Sequence, residues 1–118
     1  MPFTTTCKRG DIVLVPFPFT DLSASKQRPA PVISADDWNA SQSDVVLVAV
    51  TSQIPETPVV GEVLLNLADL QAGGLPKASL VRTTKIFTMH QGLLRRTLGR
   101  LPEATVAGIL GDLRKFFS

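Results

Sequence analysis

Asp44-Val45-Val46-Leu47-Val48-Ala49-Val50-Thr51-Ser52-Gln53 governs how the rest of this chain is read. Six consecutive apolar residues, four of them valines, read as a strand buried on both faces and therefore central in a sheet. The run stops abruptly at two hydroxyls and an amide, so the strand delivers polar groups to the edge of a core. Upstream, Gln27-Arg28-Pro29-Ala30-Pro31-Val32-Ile33 opens a second strand with a guanidinium. Its two prolines cannot donate to a ladder and place its start at a sheet edge. One guanidinium and several hydroxyls at the ends of two strands suit a phosphodiester, which points toward RNA.

Further strands flank this pair. Gly10-Asp11 is turn chemistry ahead of Ile12-Val13-Leu14-Val15, which Pro16 and Pro18 are expected to cap, with Phe17 and Phe19 anchoring its exit. Residues 20–27 are polar and serine-containing and read as a mobile loop. Residues 36–43 read as another loop, residues 62–66 as a fourth strand, and residues 67–71 as a single helical turn before the ordinary turn pair Gly73-Gly74. Residues 79–88 form a long fifth strand. Regular alternation puts Leu80, Arg82, Thr84 and Ile86 on one face and Val81, Thr83, Lys85 and Phe87 on the other. Residues 97–100 give one more short strand.

The chain then becomes helical. Pro102 is expected at the first helical position after Leu101, and Glu103 suits the positive end of the dipole. Val106, Ile109, Leu110, Leu113 and Phe117 recur at helical spacing as one apolar stripe. Gly108 and Gly111 weaken the helix and are read as permitting a close approach to the sheet. A mainly β chain with one C-terminal helix predicts a small, strongly bent sheet or barrel.

Composition bounds the function. The 118 residues suit a single domain, 1–118, with a modest core, and 44% hydrophobic content excludes disorder. A net charge of +2 permits phosphate attraction without indiscriminate coating of nucleic acid. A single cysteine, Cys7, excludes an internal disulfide and suits a reducing cytoplasm. No apolar run approaches the ~20 residues of a membrane span, and the start lacks a secretory pattern. One histidine, His90, excludes paired-histidine acid–base chemistry, and with one thiol it leaves no zinc site. No cofactor or metal is expected. Asp36-Asp37 reads as a solvated pair, and Arg95-Arg96 with Arg100 as a solubilising cluster. Arg82 interrupts an apolar strand, and a half-buried guanidinium there pairs with a carboxylate or meets a ligand phosphate.

Four blocks occur in order: Arg9-Gly10-Asp11-Ile12-Val13, Arg28-Pro29-Ala30-Pro31-Val32-Ile33, Val50-Thr51-Ser52-Gln53-Ile54, and Val81-Arg82 through Phe87-Thr88. With an ending from Gly99-Arg100-Leu101 to Leu110, they resemble the MazF/PemK-like toxin endoribonucleases of type II toxin–antitoxin systems, from Lys8 to Leu113. The resemblance implies an SH3-like small barrel of the MazF/PemK/CcdB type, usually a homodimer. It implies metal-independent, sequence-selective cleavage of single-stranded RNA, including mRNA, through attack by the 2′-hydroxyl. It also implies inhibition by a cognate antitoxin, in a complex able to bind DNA. By the resemblance Arg28 and Thr51 are the catalytic pair, and Ser52, Gln53, Arg82 and Thr84 fall to RNA binding. Some members place an aspartate two residues after the fifth-strand arginine; here that position is Thr84. Two other readings stay open on these residues: a growth inhibitor of the same fold that binds a protein such as a topoisomerase, and an inactive binding module.

Overall fold

Gly10, at φ +96°, turns the chain into β1 (Asp11–Phe17). The computed structural model describes residues 6–17, 26–57 and 59–118, without the side chains of Phe17 and Lys26. The anchoring roles expected of Phe17 and Phe19, and most of the polar loop before the second strand, lie outside the described residues. Lys26 and Gln27, expected in that loop, already belong to β2 (Lys26–Pro31). Strand β1 continues through Pro16, which faces Gln27 of β2, rather than stopping there. Pairing of β1 with β6 (Arg96–Arg100) ends at Leu14, so the imide nitrogen of Pro16 breaks no ladder on that side.

The strands form two three-stranded antiparallel sheets. One has the order β2-β1-β6. The other has the order β3-β5-β4, built from β3 (Asp44–Thr51), β4 (Glu62–Leu64) and β5 (Leu80–His90). A bridge between Val32 and Leu47, beside the 2.9 Å bond from Ile33 N–H to the Val46 carbonyl, joins the sheets into a partly closed small barrel. The expected class, mainly β with a C-terminal helix, is the observed one.

Strand β3 is not the central strand of its sheet; β5 is. Its apolar character comes from facing two cores. Val48 and Val50 enter a cluster with Ile12, Val81, Leu101 and Ile109, while Val45 and Leu47 enter another with Val13, Val15 and Ala30.

The regular alternation expected of β5 fails at a bulge. Val48 pairs with Ile86 but Ala49 pairs with Arg82, so Thr83, Thr84 and Lys85 have no counterparts on β3. Arg82 and Ile86 consequently sit opposite residues on different faces of β3. Thr83 is fully buried there, and both its N–H and its Oγ1 donate to the Gly61 carbonyl, at 2.7 and 2.9 Å.

Three helical expectations are corrected. Residues 36–43 contain α1 (Asp36–Ser41), a helix too short for periodicity to reveal. Tertiary contacts hold it: Asn39 is fully buried, donating to the Ser34 carbonyl at 3.0 Å and accepting from the Ser34 hydroxyl. The single turn expected after Asn66 is α2 (Leu67–Gly73), started by a reciprocal Asn66–Asp69 capping box. Thr105 donates to Asp69 from α3 (Glu103–Phe117), coupling the two helices.

Helix α3 has Pro102 as its N-cap, and Leu101, buried, belongs to the core. Val106, Ile109, Leu110 and Leu113 pack as the stripe predicts, but Phe117 is exposed. Gly108 and Gly111 do not mediate a close approach, since no neighbouring atom lies within 4 Å of where a Cβ would stand. The close approach is made elsewhere. A Cβ on Gly99 would lie 2.3 Å from the Ala72 carbonyl oxygen, and one on Gly74 would lie 2.3 Å from that of Leu98. Gly74, at φ +70°, is also the left-handed C-cap of α2. These glycines, read from sequence as punctuation, let the end of α2 touch β6 backbone to backbone.

Candidate functional site

The end of the larger core opens into a cleft of about 630 Å³. Leu14, Pro29 and Leu98 line it from the first sheet, Ser52 from the exit of β3, and Gly74, Pro76 and Lys77 from the turn between α2 and β5. Arg28 and Gln27 contribute from the edge strand and Arg96 from the start of β6. Among the described residues the lining holds three cations and no carboxylate.

The bridge between the sheets relates the positions of Arg28 and Thr51 by register. Val32 and Leu47 form an antiparallel bridge, and pairing between β2 and β3 stops there. Carried four residues toward the strand ends, the same register sets Arg28 opposite Thr51. At those positions Arg28 pairs with Val15 of β1 and Thr51 with Leu80 of β5. Thr51 is half-buried, and its Oγ1 accepts the Gln53 N–H at 3.1 Å, turning the chain out of β3. Ser52 and Gln53 follow as exposed residues, with Ser52 on the cleft wall.

Arg82 approaches Thr51 from β5. Thr51 pairs with Leu80 and Ala49 with Arg82, so Thr51 and Arg82 are diagonal neighbours on one face, about 7–8 Å apart. Arg82 Nε lies 3.9 Å from Glu62 Oε2, an ion pair beyond hydrogen-bonding reach, while Glu62 Oε1 accepts the Val59 N–H at 2.9 Å. Arg28 and Ser52 thus line one cleft, Thr51 and Gln53 flank Ser52 in the chain, and Arg82 lies diagonal to Thr51 across β3 and β5. Thr84 does not join them. It lies exposed in the three-residue expansion of β5, with its methyl over Gly61.

Sequence reasoning missed Arg96 and Lys77. Arg96, assigned to a solubilising cluster, lines the cleft; its neighbour Arg95 does not. Alternation along β6 could not have separated Arg96 from Arg100, because a register shift opposite Ile12 and Val13 puts the two arginines on different faces. Lys77 carried no signal, because a lysine after a proline in a turn looks like any surface lysine. Arg100 is engaged elsewhere, donating to Asp11 at 2.9 Å.

His90 has a local structural role, its Nδ1 accepting the Gly92 N–H at 2.9 Å. Asp36 accepts the Arg9 N–H at 2.7 Å. Among the described residues no three His, Cys, Asp or Glu side chains gather into a metal-binding group. Cys7 lies in a separate cavity of about 230 Å³. Burial, and secondarily the Asp11 carboxylate, push its thiol above the ordinary value. Among the described residues no helix is long and apolar enough to cross a membrane.

The family model of the PemK-like, MazF-like toxins of type II toxin–antitoxin systems matches residues 8–117. The chain belongs to this family. The MazF/PemK-like chain is 32% identical over 92 residues to the endoribonuclease MazF2 of Mycobacterium bovis, covering 77% of this chain and 78% of that relative. The same figures hold for the endoribonuclease MazF6 of Mycobacterium tuberculosis. The fold matches that of a mycobacterial endoribonuclease solved with its cognate antitoxin, with a TM-score of 0.75, 21% identity and 94% of each chain covered. It also matches MazE–MazF of Deinococcus radiodurans, with a TM-score of 0.74, 21% identity and 97% of each chain covered. Curated relatives of this MazF/PemK-like protein are thus named as endoribonucleases.

Proposed function

We propose that this MazF/PemK-like chain is the toxin of a type II toxin–antitoxin pair. In this reading it is an endoribonuclease that cuts single-stranded RNA, mRNA among it, at a preferred short sequence. One observation supports the proposal above the others: Arg28 of β2 and Ser52, the residue after Thr51 at the exit of β3, line one cation-lined cleft. The 2′-oxygen attacks the adjacent phosphorus and the bond from phosphorus to the 5′-oxygen breaks. The 2′-hydroxyl proton leaves to solvent and the departing 5′-oxygen takes one up, giving a 2′,3′-cyclic phosphate and a 5′-hydroxyl.

Arg28 stabilises the extra charge on the phosphorane, since preorganised donors favour the state in which charge develops. A guanidinium cannot serve as a base near neutral pH, so its role is electrostatic. Thr51 and Ser52 donate to nonbridging oxygens, and Gln53 and Arg82 position the strand. Thr84 supplies no carboxylate, so Arg28 and Thr51 carry the chemistry in this reading. Bases splay outward, where single strands expose their edges for recognition.

The partner is a disordered acidic antitoxin segment, whose carboxylates suit the same guanidinium groups as phosphate does. A homodimer covers apolar surface that a chain of this size leaves exposed, such as Val59, Val60 and Leu67. Arg28→Ala and Thr51→Ala are each expected to abolish most cleavage of single-stranded RNA with unchanged circular dichroism. Parental cutting rates in both variants would overturn the assignment. Light scattering at micromolar concentration is expected to give twice 12.7 kDa.

A further inference from the structure

Two cations of the cleft have no place in the chemistry just described. Lys77 and Arg96 line it with Arg28, but they come from other parts of the fold. Arg96 pairs with Leu14 on one side of β1 while Pro29, next to Arg28, pairs with Leu14 on the other. With strands about 4.8 Å apart, Arg96 starts roughly 10 Å across the sheet from the Arg28 edge. The ion pairs among the described residues join Arg82 to Glu62 and Arg100 to Asp11, and neither uses Lys77 or Arg96.

Their backbone is held firmly. The Leu75 N–H donates to the Leu70 carbonyl at 2.9 Å, and Leu75 is buried. Gly74 lies so close to Leu98 that a Cβ would strike the Leu98 carbonyl. The turn carrying Lys77 is therefore seated against the strand that carries Arg96. Between them and Arg28 lie Leu14, Pro29, Pro76 and Leu98, an apolar floor able to support a ribose or a base.

We infer that Lys77 and Arg96 form a second phosphate subsite, which takes the backbone phosphate flanking the scissile one and sets how the RNA lies in the cleft. The inference rests on the nuclease reading. Lys77 and Arg96 bind RNA without touching the reacting atoms, whereas Arg28 acts at the scissile phosphate.

The test uses the full chain and an oligoribonucleotide containing the cut site mapped with the parent protein. Binding is measured on the same oligomer carrying one 2′-deoxynucleotide at the scissile position, across a range of salt concentrations. Each phosphate contact on a single strand contributes about 0.7 to the slope of log affinity against log salt. The double variant K77A/R96A is expected to lower that slope by about 0.7, the share of one phosphate, and to raise KM about tenfold or more, with kcat within threefold of the parent. Arg96→Lys, which keeps the charge, is expected to recover part of the affinity. Circular dichroism and thermal melting of K77A/R96A are expected to match the parent, since both side chains are exposed. An unchanged slope and KM in K77A/R96A would overturn the second subsite while leaving the nuclease reading intact. A loss of kcat at constant KM would also overturn it, by moving the pair to the scissile phosphate. A parent protein that cuts no RNA would overturn the nuclease reading and this inference with it.

Discussion

Replacing Thr51 by valine separates the chemistry of the site from its architecture. Valine keeps the branched shape and the strand preference of threonine and removes only the hydroxyl. In the folded protein that hydroxyl makes one hydrogen bond, accepting the Gln53 N–H at 3.1 Å in an exposed setting. Water can replace it, so the loss of stability is about 0.5–1 kcal/mol, or a fall in Tm of roughly 4 °C for a chain of this length. That is small against a stability of about 5–15 kcal/mol, and the variant stays folded at 25 °C. If the hydroxyl donates to a phosphate oxygen in the transition state, its removal costs about 2.7–4 kcal/mol of activation energy, a rate loss of roughly 10²–10³. Single-turnover cleavage of an RNA carrying the mapped site, run beside calorimetric melting, measures both quantities. Thr51→Ser, which keeps the hydroxyl, is expected to cut within about tenfold of the parent. A Thr51→Val enzyme cutting within threefold of the parent would exclude a role for the hydroxyl. A Thr51→Ser enzyme as impaired as Thr51→Val would show that shape, not hydrogen bonding, is what the site needs.

Gly99→Ala is expected to lower stability by about 1–3 kcal/mol or more, because its Cβ must displace the Ala72–Gly73 backbone. Gly108→Ala, with open space around it, is expected to raise stability by up to ~1 kcal/mol, and urea melts of the pair check both signs. Burial and Asp11 raise the Cys7 thiol pKa in the folded state, so the fold retains this proton longer than the unfolded chain does. The associated stability is complete below the unfolded thiol pKa and is lost as pH rises through the folded one. Alkylation of Cys7 at pH 7.5 is accordingly expected to be slower in the native protein than in urea; equal rates would contradict the assigned burial. Cleavage is expected to survive excess EDTA, given the donor set of the described residues, and activity lost to chelator and restored by magnesium would point to a metal-dependent nuclease.

Part of the site was legible because Thr51 ends a strand. The change from Val50 to Thr51-Ser52-Gln53 marks where β3 stops, whereas the change from a polar loop to Arg28-Pro29 does not mark a strand start, since β2 already begins at Lys26. Arg82 was legible as a charge inside an apolar run, and its carboxylate partner turned out to be Glu62. Thr84 was misplaced because alternation was carried through a bulge. A three-residue expansion leaves no trace in hydrophobic pattern when the residues inside it are themselves threonines and a lysine. Lys77 and Arg96 were missed for a related reason: local sequence cannot show that a turn and a strand start come to face the same cleft.

Local pattern suffices for the class of the fold, the order of its strands along the chain, the helix that closes it and the end of β3 at Thr51. Those features depend on periodicity and on proline and glycine chemistry, which act over a few residues. Packing in three dimensions was needed to settle which strand is central, where β5 bulges and which glycines touch. It also brought Arg28, Ser52, Lys77 and Arg96 to one cleft. Each of these depends on register between segments far apart in sequence, and register is set by how whole faces pack, not by any single segment.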